Sequence, residues 1–203
     1  MEVGISFRMS ELVITAASTV TPADLKTARL GPRFGRLDQA SQLALLAVEL
    51  LRVDFEKLPR ERIGICLAAR AGSLSTDVEF WKGRDAVGGP SPTLFAYTLP
   101  SAAMGEIAIR HKLMGPNLCF TGDDRVVLSE AAELIQRGEA EACVCVGLKS
   151  VSDAAAGMIC EVPAARATAI FLTREGQGMA LPQRENDRDM ETLCARFCAL
   201  KSG

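Results

Sequence analysis

Residues Ser91–Gly147 read SPTLFAYTLPSAAMGEIAIRHKLMGPNLCFTGDDRVVLSEAAELIQRGEAEACVCVG. The helical spacing of apolar residues predicts a helix over Ala102 to Leu113, stopped near Gly115-Pro116. Asn117 to Phe120 reads as a strand, Asp124 to Arg137 as a helix closed by Gly138, and Ala142 to Val146 as a buried strand. Between Phe120 and Val126 a strand hands over to a helix. Such a junction presents backbone N–H groups and suits a nucleophile or an anion site. Here the turn is Thr121-Gly122-Asp123-Asp124, with no cysteine, serine or histidine.

Working outward, ELVITAASTVTP (Glu11 to Pro22) is a strand and a turn, and Leu25 to Gly35 is a basic, glycine-containing loop. Arg36 to Val53 is a helix that Asp38 is placed to start, with Leu43, Leu46, Ala47, Leu50 and Leu51 on one face. Ile63 to Ala69 and Ala167 to Thr173 complete the strands, and Gly72 to Trp81 is a loop running into a short helix. Apolar strands alternating with helices predict an α/β layered fold: a mixed, mostly five-stranded sheet with helices packed on it. Residues 1–181 form this domain, and residues 182–203 form a charged linker and a C-terminal helix. In that helix Met190, Leu193, Cys194, Phe197 and Cys198 make an apolar stripe. The stripe suits either docking on its own domain or meeting a partner.

Composition narrows the function. The 203-residue chain is 48% apolar and 5% aromatic with a net charge of −2, which leaves no basic footprint for nucleic acid. Its apolar runs are too short for a membrane span, and its N-terminus lacks a signal-peptide layout, so a cytoplasmic location is expected. The seven cysteines contain no C-x-x-C pair, which argues against a disulfide framework or a zinc site. Cys66, Cys119, Cys143 and Cys145 lie in apolar runs and read as small core residues. No metal or cofactor is expected.

Several segments, in order, resemble the N-terminal half of the β-ketoacyl synthase family, which has a thiolase-like fold. ELVITAASTVTP is similar to the opening strand, and GRLDQASQLALLAVELL to the first long helix. RIGICLAARAGSL resembles the next strand and its glycine turn, and SPTLFAYTLPSAAMGEIAIRHKLMGPN the approach to the nucleophile. RGEAEACVCVG and ARATAIFLT resemble the two strands that close the half. The resemblance implies half of a thiolase-like fold. It also implies dimerisation through the strand before the turn, here Asn117 to Phe120.

The chain departs from that family at the chemistry. Counting forward from Gly115-Pro116 puts Asp124 at the nucleophile position, and counting back from Gly138 puts Thr121 there. Condensation also needs two histidines from the family's C-terminal half. His111, the sole histidine, matches neither. The segment between Lys149 and Ala167 is shorter than the family's. An acyl thioester needs a thiolate, and a thiolate needs a cation or a helix N-terminus. Asp123 and Asp124 put carboxylates there instead, either as helix caps or as functional groups.

The resemblance is therefore strongest to the cysteine-less, chain-length-factor type of homologue. It implies a non-catalytic subunit of type II fatty acid or polyketide synthesis, paired with an active ketosynthase or with itself. Phe95, Tyr97, Leu99 and Met104 match positions bordering the acyl tunnel at the subunit interface; ordinary packing is the other reading. Acyl carrier protein is acidic, and Lys26, Arg29, Arg33 and Arg36 are candidates to dock it, or are simply solvated. A different class remains open: a free-standing acyltransferase or thioesterase using Cys119 or Thr121. A third is a scaffold with no acyl ligand. The helix after the turn has an apolar side and a polar side (Ser129, Glu130, Glu133, Gln136, Arg137), as in a half-domain or under another chain's polar cover.

Overall fold

The computed structural model describes residues 12–85, 87–160 and 163–202. Among these residues six strands form one mixed sheet: β1 (Val13–Val20), β2 (Ile63–Ala69), β3 (Asn117–Thr121), β4 (Ala142–Lys149), β5 (Arg166–Thr173) and β6 (Met179–Ala180), in the order β3-β2-β4-β5-β1-β6. β2 runs parallel to β3 and β4, while β5 is antiparallel to β4 and β1. The sixth strand was not expected. It is two residues long, too short for any alternation to announce it.

Among the described residues eight α-helices accompany the strands: α1 (Pro22–Leu25), α2 (Gln39–Leu50), α3 (Leu74–Gly83), α4 (Pro92–Ala96), α5 (Ser101–His111), α6 (Arg125–Gln136), α7 (Asp153–Ala156) and α8 (Met190–Ser202). α2 begins three residues later than its apolar pattern predicts. Residues 34–36 are a 3-10 turn, and Asp38 caps the true start by accepting from the Ser41 N–H at 3.0 Å. Thr76 Oγ1 donates to the second Asp38 oxygen at 3.1 Å and fixes that cap. Leu50, expected on the apolar face, is 42% exposed at the helix end. The expected loop over Leu25 to Gly35 is flanked by α1 and that 3-10 turn, whose Phe34 is buried.

β2 is buried along its whole length and β4 at all but its last residue, so the alternation of strand side chains supplies two cores. On one face Ile63, Ile65, Leu67, Val144 and Val146 meet α2 and α5. On the other, Cys66, Ala68, Cys143, Cys145, Ile170 and Leu172 meet α6 and α8. The polar side of α6 is partly covered by the chain's own C-terminal segment: Arg188 Nη1 donates to Ser129 Oγ at 2.8 Å. The apolar stripe of α8 likewise docks on its own sheet, with Met190, Leu193, Cys194 and Phe197 buried and Cys198 exposed.

Candidate functional site

The turn leaves the C-terminal end of β3, the edge strand of the sheet. Gly122 holds φ at +125°, a value side chains disfavour, and its N–H reaches back to the Ala69 carbonyl at 3.1 Å. This bond ties the turn to the end of β2.

The two aspartates then part. Asp123 faces outward and accepts from the Arg125 N–H at 2.9 Å, Nε at 3.0 Å and Nη2 at 2.7 Å. The Arg125 guanidinium and backbone N–H hold its carboxyl down at about 2. Asp124 turns inward and is 7% exposed. Its side chain makes no cap hydrogen bond, so the capping role expected of it falls to Asp123 alone. Burial pushes the Asp124 carboxyl up, more than Lys149 pulls it down from an Nζ–Oδ2 distance of 3.8 Å.

Gly147 makes room for Asp124. A Cβ there would stand 2.7 Å from Asp124 Oδ2 and 3.0 Å from its Cβ. Lys149 has a closer partner in Glu191, and Glu191 also binds Arg166 Nη1 at 2.5 Å. Burial works against the Lys149 ammonium, but Glu191 and Asp124 more than offset it and raise its pKa. Asp124 thus belongs to an ion network joining the turn, the end of β4, the start of β5 and the start of α8. Sequence reasoning missed Gly147, Lys149, Arg166 and Glu191. Their one signal was a glycine and a lysine closing an apolar run, and pairing them with Glu191 needed the fold.

The other candidates do not assemble around the turn. Cys119 is half-buried within β3, packed toward α2 and α5, and burial pushes its thiol up. Thr121 is exposed beside Gly72. His111 lies at the opposite end of the sheet, where Arg60 Nη1 donates to its carbonyl just before β2 begins. Its ring meets Phe55 edge-on with centroids 5.0 Å apart, and burial lowers its pKa. Among the described residues neither Cys119 nor Thr121 has an imidazole beside it.

Phe95 and Leu99 are exposed, at 63% and 64%, with Phe95 5.6 Å from the Phe80 ring. Tyr97 and Met104 are half-buried against the α2–α5 core. Lys26, Arg29, Arg33 and Arg36 are all exposed. Arg29 spends its Nη1 on the Lys26 and Ala28 carbonyls, at 3.1 and 2.9 Å. Arg33 Nη2 and the Tyr97 hydroxyl share Glu106 Oε1, at 3.0 and 3.3 Å. One docking candidate and one tunnel candidate therefore meet on a glutamate that the sequence reading passed over. Arg33 borders a cavity of about 210 Å³ floored by Leu30, Phe34, Leu37 and Leu45. Arg36 and Tyr97 border a separate cleft of about 500 Å³. No group of three or more His, Cys, Asp or Glu among the described residues is placed to hold a metal ion.

Half of a thiolase-like fold, with a buried carboxylate at its strand-to-helix turn, defines the class. The sequence matches the beta-ketoacyl synthase N-terminal domain over residues 13–168, and the chain belongs to that family.

Among solved structures it is similar to the ishigamide ketosynthase/chain length factor, with a TM-score of 0.66 and 21% identity over 80% of this chain and 62% of that one. It is similar to a chain of AntDE:AntF, a type II PKS acyl-carrier protein in complex with its ketosynthase bound to the hexaketide (TM-score 0.67, 18% identity, 80% and 62% covered). It is also similar to a chain of the ketosynthase ApeO in complex with its chain length factor ApeC from Xenorhabdus doucetiae. There the TM-score is 0.64 and the identity 20%, covering 92% of this chain and 91% of that one. The chain spans 62% of the length of the first two relatives. At these identities the likeness establishes the fold. No curated protein matches the sequence.

Proposed function

We propose that this chain is a non-catalytic, chain-length-factor-like subunit of type II fatty acid or polyketide synthesis. It pairs with an active ketosynthase and serves acyl groups carried on acyl carrier protein. One observation supports the reading: the strand-to-helix turn of a ketosynthase half-domain holds no cysteine, and Asp124, one of the two positions that match the nucleophile, is buried on Gly147 and faces Lys149. A carboxylate there repels a second anion and forms no thioester.

Three further points support it. Similar chains occur in complexes of a ketosynthase with a chain length factor and of a ketosynthase with an acyl carrier protein. Among the described residues no strand pairs with the outer side of β3, and an uncovered apolar edge is costly in water. Exposed Phe95 and Leu99 add apolar surface on the segment that leads into α5 and β3. In this reading Phe95, Tyr97, Leu99 and Met104 border the acyl chain at the subunit interface, while Lys26, Arg29, Arg33 and Arg36 meet the acidic carrier. No helix among the described residues is long and apolar enough to cross a membrane, and a cytoplasmic location goes with the reading.

The test is reconstitution. The purified chain with acyl- and malonyl-carrier protein gives no β-ketoacyl product, whereas co-expression with a full-length ketosynthase encoded beside it gives a stable heterodimer and product. Turnover by the chain alone that vanishes in Cys119→Ala or Thr121→Ala would instead establish a free-standing acyltransferase or thioesterase.

A further inference from the structure

The C-terminal segment is attached to the sheet in two different ways. Along α8, Met190, Leu193, Cys194 and Phe197 bury against β1 and β5. They are 4 of 13 helix residues, and Leu200 of the same helix is 68% exposed. At the segment's start the contacts are polar. Arg188, 3% exposed, donates to the Pro182 carbonyl at 3.0 Å and the Gln183 carbonyl at 3.3 Å, besides Ser129 Oγ on α6. Asp189 Oδ2 accepts from the Thr192 N–H at 2.8 Å and caps α8. Glu191 then sits between two cations, Lys149 and Arg166, and Lys149 also faces Asp124 in the turn. The side chains of these three residues are 20–35% exposed, so salt reaches them.

From this division of labour we propose that residues 182–202 are a strap with an electrostatic catch. Glu191 is the catch, Lys149 and Arg166 hold it, and releasing it lets the strap open as a unit while the sheet stays folded. The strap has few buried apolar groups of its own, which places it at the low end of local stability. Removing the Glu191 charge leaves two cations facing each other across the start of α8, and like charges at that distance repel. Lys149 makes the catch sensitive to the turn, because the same ammonium faces Asp124. The strap overlies the outer side of α6, so its opening is also what would bare that helix. This inference rests on the ion network alone, and it stands or falls independently of the proposed acyl function.

The cysteines provide the readout in the intact chain. Cys160 and Cys198 are exposed, Cys194 is buried on the inner side of the strap's own helix, and Cys66, Cys143 and Cys145 are buried in the sheet. Peptide-resolved rates of modification by a thiol reagent should therefore fall into three classes. Glu191→Gln should raise the Cys194 rate about tenfold, as for the loss of a half-buried ion network. Raising NaCl to about 1 M, where the screening length is about 3 Å, should raise the wild-type rate in the same direction. In both cases the three sheet thiols keep their slow rate. An unchanged Cys194 rate in Glu191→Gln would overturn the catch. Cys194 reacting in step with Cys66, Cys143 and Cys145 would overturn the strap, because the segment would then open only with the whole domain.

Discussion

On the face covered by α2 and α5, the interior is apolar almost throughout: Leu43, Ala44 and Ala47 of α2 and Ile107 of α5 have no exposed area, or nearly none, over Ile65, Val144 and Val146. On the face covered by α6 and α8, a similar apolar floor carries charge at its rim: the buried Asp124 and Arg188, and the half-buried Lys149–Glu191–Arg166 network. Apolar packing is non-directional and needs only volume and shape, whereas a buried charge needs a particular partner at a particular place. The first face is therefore built to hold, and the second to hold a specific arrangement around the turn.

The sharpest way to separate the faces is to damage each at its centre. Leu43→Ala should cost about 2–5 kcal/mol, the usual range for a cavity in a rigid core, and lower the denaturation midpoint of the whole chain. Leu193→Ala removes as many atoms from under α8, yet it should act first on the strap. Hydrogen exchange should then speed up in residues 190–202 before it does in β2 or β4.

A smaller effect probes the turn. Gly147→Ala drives a methyl into Asp124 and should cost about 1–3 kcal/mol as an overpacked site. Asp124→Ala should relieve part of that cost in the double mutant, giving a favourable coupling measurable by a double-mutant cycle. Additive losses would show that the two residues do not compete for the same space.

Weaker still is Asp124→Asn. The buried carboxylate is disfavoured by its surroundings and caps nothing, so the isosteric amide should change stability by less than about 1 kcal/mol in either direction. A loss well above that, by thermal denaturation at neutral pH, would mean that Lys149 depends on Asp124 more than on Glu191.

The smallest expected effect is a slope. Asp123 is held at about 2, below the ordinary carboxylate value of about 4. A lowered folded-state pKa adds stability above the unfolded value and loses it as pH falls through the folded one. Asp123 should therefore contribute to acid destabilisation between about pH 4 and about pH 2, modestly, because its carboxylate is nearly half exposed. Asp124 acts in the opposite sense: its raised pKa means that acid relieves a penalty. Asp123→Asn should flatten the acid limb of the stability curve, and Asp124→Asn should steepen it.

Local patterns carried much of this molecule. The apolar runs Ile63–Ala69 and Ala142–Val146, most of the α2 stripe and the Asp38 cap are all short-range signals and fell where their chemistry put them; Leu50, at the exposed end of α2, did not. The strand-to-helix turn was equally legible, because Thr121-Gly122-Asp123-Asp124 interrupts two periodic segments. Less of the site was legible. Cys119 and Thr121 were candidates by residue type, but no base meets them, since the sole histidine of the sequence lies at the other end of the sheet. The four basic residues of the 26–36 region looked like one patch, yet Arg33 and Arg36 face different cavities.

The sequence by itself determined the longer elements, the two-sided burial of the central strands and the absence of cysteine, serine and histidine from the turn. Each of these depends on residues within a few positions of one another, where periodicity, capping and residue chemistry act. The tertiary structure alone decided which aspartate caps and which is buried, because both are equally good caps in isolation. Only the approach of Gly147 and Lys149, more than twenty residues away, draws Asp124 inward. It also decided that Glu191 closes over the turn and that the stripe of α8 faces its own sheet. An amphipathic helix states that it needs a surface, but which surface lies within reach is set by the path of the whole chain.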